Sequence, residues 1–231
     1  MSFMGHVSIG QTAPDFIAQT TFGQLQMSNL RGSWVVFFSH PGDFTPVCTT
    51  EFIAFTKEFD TFCQLGVQLL GLSIDSNPSH LAWAESIRTM TGCALPFPIV
   101  ADRVGEIATL YGMIAPEASS TQTVRNVYII DPEQKIRCIL IYPLTTGRFI
   151  PEIIRIVQAL QTADQYCCVT PANWQPGDKV LVPAASTSDE VIERKTNADC
   201  LGLDCKDWYL CYKNTLEATS RRSDYGYRRR R

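Results

Sequence analysis

The residue best placed to do chemistry is Cys48. It follows the apolar run Trp34–Ser39 (WVVFFS) by way of the loop HPGDFTPV, and it opens a stretch with helical periodicity. A cysteine between a strand and a helix start meets unpaired backbone N–H groups and the positive end of the helix dipole, and both favour negative charge. The sulfur is thereby biased toward the thiolate, which is the nucleophilic form. The loop supplies helpers at fixed offsets. Pro41, seven residues before Cys48, could shield the sulfur from water, and Pro46 stiffens the approach. Thr45, three residues before, carries a hydroxyl able to bond the thiolate or an incoming oxygen. A C-x-x-C dithiol is excluded, because position 51 is Glu51. Helix position alone leaves a second reading open, a buried structural cysteine, the common fate of free cysteine.

The chain has nine cysteines among 231 residues. Cys63 ends an apolar helical face, Cys138 lies in an apolar strand and Cys93 precedes a core-like segment, so all three read as packing residues. Cys167 and Cys168 adjoin at the end of a helix and read as packing or interface residues. The last three lie in CLGLDCKDWYLCYK, where Cys205 and Cys211 are six apart beside Trp208 and Tyr209. C-x5-C is not a usual zinc spacing and His is scarce, so no metal is expected. An odd cysteine count with no secretion signal argues for free thiols in a reducing cytoplasm, not a disulfide-stapled scaffold. The start MSFMGHVSIG lacks a basic end followed by an apolar run, and no stretch is apolar enough to span a membrane. A net charge of −3 makes no general case for nucleic acid. The tail at 221–231, RRSDYGYRRRR, reads as a solvated basic terminus or a polyanion contact.

The elements that must position Cys48 alternate between strand and helix. After the strand and its loop, residues 49–62 place Phe52, Phe55, Phe59 and Phe62 on one helical face. A strand is expected at 67–74, a helix at 78–87 with Pro78 in its first turn, a short strand at 97–100 and a short helix at 105–111. Two apolar runs, 127–130 and 136–142, flank the turn DPEQK and predict antiparallel neighbours. An amphipathic helix at 149–162 closes the pattern. The order predicts an α/β fold with a mixed central sheet flanked by helices, which fits a thioredoxin-like architecture. Residues 1–165 read as that domain. Residues 166–231 read as a C-terminal extension too small for a strong core of its own, packing on a neighbour within the subunit or across a dimer.

The stretch HPGDFTPVCTTE, residues 40–51, closely resembles the active-site loop of peroxiredoxins, with the P-x-x-x-T-x-x-C signature intact as Pro41, Thr45 and Cys48. The likeness extends to APDF at 13–16, VRNVYIIDP at 124–132 and TTGR at 145–148, and covers the chain through about residue 185. The His40 loop variant and the long extension resemble the subgroup of one-cysteine enzymes and archaeal thioredoxin peroxidases. This resemblance implies reduction of hydrogen peroxide and organic hydroperoxides without metal, haem or flavin. Cys48 would be the nucleophile and pass through a sulfenic acid. Arg125 matches the family's active-site arginine, which would hold thiolate and peroxide oxygen, with Thr45 donating or relaying a hydrogen bond at the same oxygens. Arg148 matches a second arginine, able to orient Glu51. Glu51 reads either as a brace behind the site or as an exposed first-turn glutamate. His40 reads either as a substrate contact or as a hydrogen-bonded neutral imidazole. The likeness around Cys205 and Cys211 implies that Cys211 resolves Cys48 across a dimer and that Cys205 exchanges afterwards. It also implies a thiol donor such as thioredoxin, and dimers assembling to a decamer. A one-cysteine cycle reset by an external thiol, and a peroxide sensor or redox-triggered chaperone oxidised stoichiometrically, are the rival readings. No G-x-S-x-G elbow is present to carry the phospholipase activity sometimes attached to that subgroup.

Overall fold

The structure is a computed structural model that describes residues 7–119 and 121–215. Seven strands form one sheet. The strands are β1 (Ile17–Thr20), β2 (Gly23–Gln26), β3 (Trp34–Ser39), β4 (Val67–Ser73), β5 (Ile99–Ala101), β6 (Arg125–Ile130) and β7 (Ile136–Tyr142), in spatial order β2-β1-β5-β4-β3-β6-β7. The helices are α1 (Pro46–Lys57), α2 (Phe59–Gln64), α3 (Asn77–Thr91), α4 (Glu106–Leu110) and α5 (Ile150–Tyr166). β3, β4 and β5 run parallel, while β6 pairs antiparallel with both β3 and β7. β3 and β6 are central, and every one of their positions is buried. Burial on both faces accounts for their largely apolar sequence.

That antiparallel pairing positions the site. Phe38 stands opposite Val127, so the N-terminal end of β6, with Arg125, lies at the C-terminal end of β3, where the chain turns toward Cys48. Successive β3 residues face opposite layers. Phe38 stacks on Phe55 of α1 with centroids 4.3 Å apart and also meets Phe52 and Phe97. Phe37 packs in the other layer with Phe16, Tyr111 and Tyr128. Gly71 in β4 admits the close approach of Phe52, because a Cβ there would meet the Phe52 ring at 3.2 Å. Phe52 follows Glu51 directly, so this packing sets how deep the first turns of α1 sit. Truncating such an aromatic side chain typically costs about 3–5 kcal/mol.

Several elements differ from the sequence reading. The 49–62 helix is two helices that meet at Glu58, whose φ of −94° and ψ of 5° interrupt regular helix. The hairpin β1–β2 was not anticipated, being short and half exposed. α3 runs on to Thr91, ended by Gly92 at φ 76°. Cys63 and Cys93 are exposed, which corrects their reading as packing residues, and Cys138 is half-buried. In α2 it is Phe62 that turns inward and leaves Cys63 outside, and Cys93 lies just beyond the helix stop.

The chain divides into two compact units between Ile154 and Arg155, inside α5, whereas the sequence reading set the junction at 165/166. The second unit has β8 (Val180–Leu181), α6 (Ser188–Thr196), β9 (Asp204–Asp207) and β10 (Leu210–Lys213), with a three-stranded sheet in the order β8-β10-β9. It has a small core of its own, in which Ala159, Cys168, Trp174 and Val180 gather against Tyr166. Cys167 is exposed. Cys211 stands opposite Cys205 across β9 and β10, and the two form a disulfide. The arginine-rich stretch at 221–231 lies outside the described residues.

Candidate active site

Cys48 is buried in the first turn of α1, two residues after Pro46 begins the helix. Proline is at ease there because its missing N–H would be unpaired anyway. Thr45 is the N-cap residue, but its side chain does not cap the helix. Its hydroxyl donates instead to Gly42 O at 2.8 Å. The first-turn N–H groups therefore keep no side-chain cap and stay oriented toward a negative charge. That bond leaves the lone pairs of the Thr45 hydroxyl as acceptors. Pro41 is buried in the same loop. Phe44, just before Thr45, takes φ 55°, an unusual backbone for a bulky residue, and its ring is exposed.

Arg125 reaches Cys48 from β6. Its Nη1 donates to the sulfur at 3.3 Å and to Glu51 Oε2 at 2.8 Å. Nε and Nη2 both donate to Leu144 O, at 3.2 and 2.8 Å, which fixes the guanidinium plane. A guanidinium has five N–H donors. Those four bonds leave one, on Nη2, for a ligand.

Glu51 is buried, not exposed, and lies between two arginines. Arg148 donates from Nε to Oε1 at 2.9 Å, from Nη2 to Oε2 at 2.7 Å and from its backbone N–H to Oε1 at 2.8 Å. Its Nη1 donates to Ser39 O and Asn126 O, and the guanidinium lies 4.9 Å from the Phe38 ring centre. Burial pushes the Arg148 pKa down, opposed by the Glu51 carboxylate beside it.

His40 is fully buried, parallel to Trp83 at 5.2 Å and edge-on to Phe52 at 4.7 Å. Burial pushes its pKa down against the pull of Asp43, which favours the uncharged ring. Its Nε2 bonds Asp43 Oδ1 at 3.1 Å. Asp43 also receives His80 Nδ1 at 2.9 Å, and His80 Nε2 donates to Val100 O at 3.2 Å. Burial works against charge on Asp43, but the hydrogen bonds from His40 and His80 outweigh it and hold its carboxyl well below the usual range. Asp43 and His80 escaped the sequence reading. The available signal was His80, Trp83 and Ile87 sharing the buried face of α3. The atoms His40 Nε2, Asp43 Oδ and His80 Nδ1 lie within 4.8 Å of one another, the only metal-like cluster found among the described residues. Their contacts are at hydrogen-bond spacing.

The structure thus brings Cys48, Glu51, Arg125 and Arg148 together, with Thr45, Pro41 and His40 in the same loop. Cys205 and Cys211 lie in the other unit.

Residues 9–139 match the AhpC/TSA family, and residues 159–197 match the C-terminal domain of 1-Cys peroxiredoxin. The chain belongs to the peroxiredoxin family. As a peroxiredoxin it is a thiol-dependent peroxidase, an oxidoreductase that takes a peroxide and a thiol reductant. It is 58% identical over 205 residues to peroxiredoxin 2 of Caldanaerobacter subterraneus subsp. tengcongensis, covering 89% of this chain and 92% of that one. It is 46% identical over 219 residues to a peroxiredoxin of the archaeon Nanoarchaeum equitans, covering 90% and 98%. Among solved structures, a mutant peroxiredoxin 6 of Arenicola marina superposes with a TM-score of 0.81 at 35% identity, over 90% of this chain and 98% of that one. Yeast mitochondrial 1-Cys peroxiredoxin superposes at 0.79 with 37% identity, over 90% and 100%. The thioredoxin-like fold of these peroxiredoxins is the fold of this chain. No helix among the described residues is long and apolar enough to cross a membrane.

Proposed function

We propose that this peroxiredoxin reduces hydrogen peroxide and organic hydroperoxides by attack of the Cys48 thiolate on one peroxide oxygen. The O–O bond breaks, a sulfenic acid forms at Cys48, and the other oxygen leaves as water or alcohol after protonation. The observation that carries this is the charge count around the sulfur. Two buried cations, Arg125 and Arg148, face one buried carboxylate, Glu51, and a thiolate at Cys48 supplies the second negative charge. Buried charge is tolerated when it is paired. In attack, charge grows on the leaving oxygen, where the remaining Arg125 Nη2–H is a fixed donor, and donors aimed at developing charge lower the barrier.

Cys211 then condenses with the sulfenic acid, across a dimer, giving a Cys48–Cys211 disulfide and water. The Cys205 thiolate attacks the Cys211 sulfur, releases the Cys48 thiolate and leaves Cys205–Cys211, which an external dithiol such as thioredoxin reduces. The Cys205–Cys211 disulfide supports that second exchange. Seven other free cysteines suit a reducing compartment such as the cytoplasm. The extension supplies the resolving cysteine, within a homodimer that assembles further to a decamer. A one-cysteine cycle is the second reading. It is favoured by the match of residues 159–197 and by the yeast 1-Cys neighbour, whose structure addresses thiol resolution through glutathione and thioredoxin systems.

Peroxide consumption by Cys48→Ser and Arg125→Ala tests the nucleophile, and Cys48→Ser retaining most of the rate refutes it. Non-reducing gels after one equivalent of peroxide test the resolving step. A Cys211→Ser protein that still forms the Cys48-linked dimer removes Cys211 from the cycle, and turnover of that protein with glutathione establishes the one-cysteine reading.

A further inference from the structure

The chain Val100 O, His80, Asp43, His40 runs from β5 through α3 to the loop before Cys48, and every link is a hydrogen bond. Its proton count is constrained. Val100 O only accepts, so His80 Nε2 carries a proton. Asp43 sits between two imidazoles, and its oxygens accept when ionised. His80 Nδ1, 3.0 and 2.9 Å from the two Asp43 oxygens, therefore also donates, so His80 carries a proton on each ring nitrogen, and His40 donates from Nε2. A neutral imidazole protonated at Nε2 has a bare Nδ1. His40 Nδ1 is buried and has no partner among the described residues. A bare acceptor buried without a partner is costly and calls for a reason. The loop itself is held by the same residues. Asp43 N–H donates to Asp75 Oδ2 at 2.9 Å, and the neighbouring Gly42 O receives the Thr45 hydroxyl.

We propose that His80 is a positioning residue for the peroxide pocket, acting through Asp43 to hold His40 as the Nε2–H tautomer with Nδ1 kept free as an acceptor. The inference rests on the peroxidase reading above. Without the His80 donor, the buried Asp43 carboxylate loses a charge-assisted bond and takes a proton instead. Protonated Asp43 donates to His40 Nε2, the His40 proton moves to Nδ1, and the acceptor is lost. His40 packs on Phe52, one helical turn beyond Cys48, and belongs to the loop that leads into Cys48.

Two substitutions separate this role from packing. An asparagine amide nitrogen overlies imidazole Nδ1, and a glutamine amide nitrogen overlies Nε2. His80→Asn keeps the donor to Asp43, whereas His80→Gln keeps only the one to Val100 O. The chain has three histidines, so 15N-histidine labelling gives few imidazole signals to assign. In the wild type and in His80→Asn, His40 should show a protonated Nε2 and an unprotonated Nδ1. In His80→Gln the two should exchange. The rate of Cys48 oxidation by hydrogen peroxide should stay near wild type in His80→Asn and fall about tenfold in His80→Gln, the scale of one lost hydrogen bond to a reacting group. A wild-type His40 protonated at Nδ1, an unchanged tautomer in His80→Gln, or equal behaviour of the two variants overturns the proposal. So does loss of the imidazole N–H signals on adding Zn2+ to the wild type, which would assign the cluster to a cation. The NMR readout does not depend on turnover. Failure of the peroxidase reading appears instead as a Cys48→Ser protein that still consumes peroxide.

Discussion

Arg148→Met preserves most of the side-chain length and volume and deletes the charge. In the wild type the guanidinium bonds both Glu51 oxygens, at 2.9 and 2.7 Å, and also Ser39 O and Asn126 O. The variant leaves Glu51 with Arg125 Nη1 and the backbone N–H of residue 148, and takes this donor from two carbonyls. Removing one partner of a buried ion pair costs about 3–5 kcal/mol, mainly because the other charge stays buried. At roughly 2–4 °C per kcal/mol for a chain of this size, Tm should fall by about 6–20 °C. Glu51→Gln should cost a similar amount, since it leaves two cations facing a neutral amide. In the double variant each loss relieves part of the other, so urea unfolding of all four proteins under reductant should give a coupling energy of about 1–3 kcal/mol. Peroxide oxidation of Cys48 should also slow in Arg148→Met, because Glu51 and the sulfur share Arg125 Nη1 and Glu51 then draws it harder. Single losses that add to within about 0.5 kcal/mol in the double variant would falsify the account of Glu51 as a carboxylate held jointly by two arginines.

Arg125→Lys should slow Cys48 oxidation about a hundredfold in stopped-flow measurements, because one ammonium cannot bond sulfur, Glu51 and Leu144 O in a fixed plane. Thr45→Val should cost about tenfold in the same assay while Thr45→Ser stays near wild type, since only the hydroxyl oxygen is needed. Stability should fall in acid. The folded His40 pKa is lowered by burial, so the unfolded chain binds the extra proton, and stability is lost as pH drops below the unfolded value of about 6.5. His40→Gln, which keeps a donor for Asp43 but cannot titrate, should show a flatter urea midpoint between pH 7 and 5.

The strand and helix order around the site was legible because β3 and the 127–130 part of β6 are apolar runs and the loop between β3 and α1 has dense turn chemistry. Cys48, Thr45 and Glu51 share one short segment, so local spacing carried their relation. Arg125 and Arg148 required the resemblance, because only the β3–β6 register places Arg125 beside a residue 77 positions earlier. His80 had no such help. Its partner Asp43 is 37 residues away, and an isolated histidine on a helix reads as packing until the fold supplies the carboxylate. The extension resisted for another reason. Its strands are two to four residues long and mostly only part-buried, so hydrophobic periodicity has little length in which to register. Exposure of Cys63 and Cys93 turned on a single inward phenylalanine and a helix stop, which residue type does not encode.

The two sulfurs of the Cys205–Cys211 disulfide are not equivalent. Cys211 is buried, and its sulfur lies near the carbonyls of Asp207 and Trp208, while Cys205 is half-buried. Thiol–disulfide exchange depends on which sulfur the attacking thiolate can reach. An external reductant approaching this hairpin meets Cys205 first, so the mixed disulfide should form there and Cys211 should depart as the leaving group. Because the two cysteines are paired across neighbouring strands, the bond can open and close with the backbone ladder in place. The regiochemistry of reduction is thus written into the burial of one hairpin position, and the sulfur released first is the one that the proposed cycle uses first.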